Sequence, residues 1–235
     1  RVNMSVAVTD MASELGWSES AKGLILSSFY WGYAIGQVPA SRFVQEYGAK
    51  WIFGLSVLLA SIASLFVPIA AKTNFGLLLF LRALIGLFES LTFPAIYQFI
   101  PVWIPLEEKT IMVPFIYSGV YIGVIISFSV SSSLLNSDII INGHQFGSWD
   151  ACFYVFGLLG IAWFPYWITM AYESPAKHPH VSKEELHKIN EGKHFPEGEE
   201  LEELHNRVRE LSYSPMMDSN IAGLELMERG RGNTI

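Results

Sequence analysis

Cysteine is nearly absent: Cys152 is the only one in 235 residues, so an internal disulfide is excluded, and no Cys/His set stands at zinc spacing. Basic clusters are missing too, and with a formal net charge of -7 the chain lacks the electrostatic footprint of a nucleic-acid binder. It begins at Arg1 rather than Met and has no signal peptide, which reads as a truncated start. There is no nucleophile beside a base, no metal-ligand set and no phosphate loop, so neither an enzyme nor a cofactor or metal site is expected. Charge itself is scarce, and unevenly so. Residues 1–171 hold 16 of the 37 charged residues, about 9% of that stretch, whereas residues 172–235 hold 21, about 33%. Two different solvents are implied.

Long uncharged runs identify the first solvent. Nineteen uncharged residues separate Lys22 from Arg42, 21 separate Lys50 from Lys72, 28 separate Lys109 from Asp138 and 22 separate Asp150 from Glu173. A helix needs ~20 apolar residues to cross the hydrocarbon of a bilayer, and helices satisfy their own backbone groups there. The expected fold is therefore an all-α membrane bundle. Its expected spans cover about 1–11 (the end of a truncated helix), 23–43, 51–71, 75–102, 111–135 and 150–171. Residues 172–235 form a polar, partly disordered tail. One side of the membrane would carry Arg42, Lys50, Lys109, Lys177 and Lys183, and the other only Lys22 and Lys72. The positive-inside rule then places the tail in the cytosol. Trp51, Trp103 and Trp149 fall near span ends, where aromatic rings favour the interface.

Three charges fall inside this frame. If Met11 marks the outer boundary, Arg1 lies ~15 Å deeper, near the midplane. Arg82 and Glu89 are seven residues apart, on one helix face and ~10 Å apart along the axis, straddling the midplane. Charges held there face a bundle interior or an aqueous cavity; an interhelical ion-pair network that only fixes packing is the alternative. Arginine keeps its charge and presents a fork of donors matching carboxylate or phosphate oxygens, which suits Arg1 and Arg82 to an anion. A carboxyl group removed from water favours its protonated form, and a nearby cation opposes this. An anion competing for the arginine would thus change the proton occupancy of Glu89, a route to proton-coupled anion transport.

Smaller features fill in the bundle. Phe29, Tyr33 and Gln37 share a stripe in the second span, beside a seam of Gly32 and Gly36. Gly119 with Gly123, and Gly157 with Gly160, are expected to let neighbouring helices approach. Pro94, Pro101 and Pro105 are expected to bend or end the fourth span. In the tail, Leu201, Leu204, Val208 and Leu211 suggest a short amphipathic helix, and His178, His180, His187, His194 and His205 read as solvent-exposed.

In order along the chain stand RVNMSVAVTDM, GLILSSFYWGYAIGQVP, LRALIGLFESLTFPAIY, WIPLEEK, YSGVYIG, CFYVFGLLGIAWF and YESPAKHPHVSKEE. Over residues 1–186 this series resembles the N-terminal half of a major facilitator transporter of the anion/cation symporter family, which includes phosphate, glutamate, sialate and sugar-acid carriers. The resemblance implies a six-helix half of a twelve-helix bundle with a midplane site and H+ or Na+ as coupling ion. It implies Arg1, Tyr33 and Arg82 as substrate contacts, and Glu89 as proton carrier. There are departures. Gln45 and Glu46 stand where the loop after the second helix usually has Asp and Arg, although Gly48 and Lys50 remain. Leu26 stands where vesicular glutamate members carry histidine. After about Ile189 the resemblance fades.

The expected function is secondary active transport of an organic or inorganic anion by alternating access, as part of a full-length transporter whose C-terminal half is needed for transport. The alternative is a truncated non-transporting membrane protein, or a half-transporter that acts by binding a partner.

Overall fold

A computed structural model describes residues 2–136, 140–141, 144–145 and 149–191. Arg1 and the tail segment with Leu201, Leu204, Val208 and Leu211 lie outside the described residues, as do His194 and His205. The described residues are helical almost throughout. Helices α1 (Val2–Leu15) and α2 (Glu19–Tyr47) are followed by α3 (Ala49–Leu65) with α4 (Val67–Thr73), and by α5 (Phe75–Glu89) with α6 (Thr92–Trp103). Then come α7 (Lys109–Leu135), α8 (Trp149–Met170) and the short α9 (Lys183–Glu191). A two-residue antiparallel pairing of β1 (Ile140–Ile141) with β2 (His144–Gln145) lies between α7 and α8.

Among the described residues, four stretches are long and apolar enough to cross a membrane: Ala49–Thr73, Phe75–Trp103, Lys109–Leu135 and Trp149–Met170. Two of them are broken, and proline chemistry accounts for both breaks. Proline lacks an N–H, and its ring collides with the carbonyl four residues earlier. Pro94 therefore disrupts the ladder at Ser90, where α5 gives way to α6, and Pro68 does the same at Ser64, just before the α3–α4 break at Phe66. Pro101 is accommodated inside α6, which ends at Trp103 ahead of Pro105. Helix α1 runs past the expected boundary at Met11 as far as Leu15. It stops at Gly16, whose φ of 69° suits glycine. Glu14 thus lies on the helix, as does Asp10.

The Leu15 end of α1, the Thr73 end of α4 and the Trp149 end of α8 are tied by polar contacts. Trp149 is almost fully buried and donates from Nε1 to Glu14 at 2.7 Å, so it is a packing residue rather than an exposed interface ring. Lys72 bonds to Asp150 and its ammonium lies 5.2 Å from the Trp149 ring. At the other end, Trp167 Nε1 donates to the Lys50 carbonyl at 3.0 Å, and the Glu173 carboxylate lies against Gly48. Lys188 on α9 donates to Glu108 at 2.6 Å, and this acceptor raises the pKa of the lysine above its ordinary value. Ile189 is buried. His178 is half-buried rather than solvated, its ring 5.9 Å from Trp103 and 4.7 Å from Tyr172.

Between α3 and α8 the helices meet through small residues. A Cβ on Gly160 would overlap Ser61 Oγ, and one on Gly157 would press into Leu65. Gly119 and Gly123 behave differently: a Cβ on either meets nothing within 4 Å. The contrast yields a prediction. Gly160→Leu overpacks a closed contact and should destabilise the detergent-solubilised protein by about 1–3 kcal/mol, whereas Gly119→Leu should be tolerated, both read by thermal unfolding. Equal losses for the two would refute this account of the α3–α8 contact.

Candidate functional site

The site begins with the crossing of α2 and α5. A Cβ on Gly32 would overlap the carbonyl oxygen of Ala83, and one on Gly86 would overlap the carbonyl oxygen of Phe29. One turn further on, Gly36 faces Ser90 and Leu87 with no room for a Cβ. Backbones this close are permitted only by glycine. The crossing brackets the two charged residues, with Arg82 beside Ala83 and Glu89 beside Ser90 in the chain.

Arg82 is only 3% exposed, and its guanidinium carbon sits 5.4 Å from the centre of the Phe29 ring. Phe29 in turn stacks on Tyr33, with centroids 5.9 Å apart and planes 28° from parallel. The structure thus joins Tyr33 and Arg82 through a ring whose role the sequence pattern leaves open. A cation over an aromatic face is attracted by the ring quadrupole, which offsets part of the cost of burying the charge. Glu89 is half-buried and ends α5, directly before the break at Ser90 and Leu91. Gln37, on the stripe of Phe29 and Tyr33, is exposed. Arg1 lies outside the described residues, so its place relative to Arg82 does not enter the geometry.

Two polar contacts between helices have no counterpart in the sequence pattern. Asn3 on α1 accepts from Ser127 Oγ of α7 at 2.5 Å, and Ser56 on α3 lies 3.3 Å from Thr92 Oγ1 on α6. An asparagine in an otherwise apolar stretch was the available signal for the first. The partner, 124 residues away, was not readable. Gln45 and Glu46 are exposed at the end of α2. Among the described residues, no group of three or more His, Cys, Asp or Glu side chains could hold a metal ion.

The family model described as Major Facilitator Superfamily matches residues 1–220. The match runs past Ile189, so the polar segment where the resemblance fades by eye lies partly inside it. "Probable anion transporter 4, chloroplastic" of Oryza sativa subsp. japonica is 38% identical over 185 residues, covering 79% of this chain and 30% of its own. "Sodium-dependent phosphate transport protein 1, chloroplastic" of Arabidopsis thaliana is 37% identical over 185 residues, covering 79% of this chain and 34% of its own. "Vesicular glutamate transporter 2" of Homo sapiens is 32% identical over 206 residues, covering 81% of this chain and 34% of its own. The chain spans about a third of the length of these curated relatives.

The arginine–ring contact is measurable. A double-mutant cycle over Phe29→Leu and Arg82→Met, read as unfolding free energies in detergent, should give a coupling of about 0.5–2 kcal/mol. Strict additivity would mean that the ring does not hold the guanidinium.

Proposed function

Because this chain belongs to the Major Facilitator Superfamily, a family of multi-pass membrane transporters, we propose that it forms the N-terminal half of a cation-coupled anion transporter. The substrate is an organic or inorganic anion, a carboxylate or a phosphate. The observation that carries this reading is a buried arginine, Arg82, over the Phe29 ring and next to Tyr33, in the same apolar span as Glu89. A permanent cation in such a place has a strong electrostatic claim on an anion. The guanidinium fork binds two oxygens of the substrate, and Arg1 provides a second cation from the first helix. Tyr33 lines the pocket and offers its hydroxyl.

Glu89 takes the coupling role. When the anion occupies the arginines, their pull on the glutamate carboxylate weakens, and proton occupancy at Glu89 changes with substrate occupancy. Alternating access then carries anion and proton together around the midplane, with the C-terminal half as the second wall. The name of the Arabidopsis relative includes sodium dependence, which makes Na+ the other candidate for coupling. The basic residues Lys50, Lys109, Lys177 and Lys183 mark the cytosolic side, and the contacts of Trp167 with Lys50 and of Lys188 with Glu108 support a common side for these loops.

The test is uptake by the full-length protein in proteoliposomes, against a panel of carboxylates and phosphate under imposed pH or Na+ gradients. Glu89→Gln should abolish accumulation driven by a pH gradient while anion exchange at equal pH persists. Unaltered pH-driven uptake by this variant would remove Glu89 from the coupling step. Arg82→Lys keeps a charge but loses the planar fork, and it should raise the KM for the anion by roughly tenfold or more, the loss of one charged hydrogen bond at ~1.5–3 kcal/mol.

A further inference from the structure

The segment that follows α8 returns to the far end of the broken span. Its start is anchored: the Tyr172 ring lies 5.5 Å from the Lys50 ammonium of α3, and the Glu173 carboxylate packs against Gly48 in the turn between α2 and α3. Pro175 is buried. The chain then turns at His178, whose Nδ1 accepts the N–H of His180 at 3.2 Å and whose ring meets both Tyr172 and Trp103, at 4.7 and 5.9 Å. Trp103 is the last residue of α6, and its Nε1 is shielded from solvent. Beyond this clasp comes α9, started by Ser182, whose Oγ accepts the N–H of Glu185 at 3.1 Å.

A helix of nine residues does not persist by itself in water, where even ~12–15 residues are marginal. What holds α9 is therefore what it touches. Its side chains are exposed except for Leu186, which is half-buried, and Ile189, which is buried. Next to Ile189, Lys188 donates to Glu108 in the loop between α6 and α7. That ion pair is half-exposed and contributes little energy. Its value is positional, since it lands α9 just past Trp103.

The break in the span makes this landing place matter. An unbroken helix carries motion along its axis through its hydrogen-bond ladder, and the break at Ser90 and Leu91 interrupts that ladder between α5 and α6. Close packing of glycines against α5 extends to Ser90. Past the break, α6 needs ties of its own. Ala95 packs with Val44 and Ile52 of α2 and α3, and Phe99 lies 5.8 Å from Trp167 of α8. The final turn, at Trp103, meets residues 172–191.

We propose that residues 172–191 form a brace that ties the Trp103 end of α6 to the Ala49 end of α3 and the Met170 end of α8. The half-span beyond the Glu89 break then moves as one body with its neighbours. The consequence for turnover rests on the transport reading above: an α6 free to lag behind its half slows the conformational step. Anion binding is spared, because Arg82, Phe29 and Tyr33 lie on the other side of the break.

The test is hydrogen–deuterium exchange of the full-length protein in detergent, paired with uptake of inorganic phosphate in proteoliposomes. Ile189→Asp puts a charge at the buried position of α9 and leaves α6 unaltered. It should speed exchange in α9 roughly ten- to a hundredfold, the scale of one lost isoleucine burial. Residues 99–104 should speed up with it by roughly threefold or more, while 75–89 keep their rates. The kcat for phosphate should fall, with KM unchanged. Lys188→Glu should loosen α9 less, and adding Glu108→Lys should restore it. The proposal is overturned if α9 exchanges freely in the unsubstituted protein, or if Ile189→Asp frees α9 and leaves 99–104 as they were. It is equally overturned if 75–89 speed up as much as 99–104, or if 99–104 are freed and kcat stays the same. An unsubstituted protein that takes up no anion at all sinks the transport reading, and exchange then decides the brace by itself.

Discussion

The near-contact of the α2 and α5 backbones is the constraint on which the rest depends. In lipid there is no hydrophobic drive to bring two apolar helices together, so association rests on close packing and on polar groups. Gly32 and Gly86 supply the closeness reciprocally, each lying against a carbonyl of the other helix. This fixes register as well as distance. Once Gly86 lies under Phe29, the Phe29 ring faces Arg82, one turn back along α5, and Tyr33 follows by its stacking on Phe29. A slip of one residue along either helix would turn the ring away from the guanidinium, because neighbouring positions on a helix point about 100° apart.

The lower end of the same crossing meets the break in the span. Gly36 lies against Ser90, and Ser90 follows Glu89 where the α5 ladder ends. The break thus falls at the level of a titratable side chain, Glu89. Pro94 sets the position of that break. Glycine at the crossing and proline beyond it therefore bracket the carboxylate: one permits the close approach of α5 to α2, and the other ends the α5 ladder.

Much of this architecture was legible in the sequence. Uncharged runs located the long helices, since charge inside hydrocarbon is costly enough to be avoided wherever it is not used. Arg82, Glu89, Phe29, Tyr33, Gly32 and Gly36 all stood out by spacing alone. What spacing could not supply was the neighbour. Gly119 and Gly123 have the same four-residue interval as Gly32 and Gly36, yet one pair faces open space and the other a carbonyl. Trp149 reads as an interface ring until Glu14, 135 residues away, accepts its N–H. Helix α1 continues beyond Met11 to Leu15 and carries Asp10 and Glu14. Acidic side chains at the last turns of a span can reach polar partners or the interface without ending the helix, and only the left-handed Gly16 ends it.

The two halves of the broken span also divide their chemistry. Arginine needs a dry, fixed environment for a strong hold on an anion, since electrostatic attraction weakens as water enters. The glycine-locked upper half provides this. The lower half is packed differently: Ala95 is buried against α2 and α3, while Phe93 and Tyr97 meet Tyr117 of α7. An arginine at the exposed position of Tyr97 would be screened by water. The break set by Pro94 thus falls directly after Glu89, between the glycine-tight crossing with α2 and the ring cluster that α6 shares with α7.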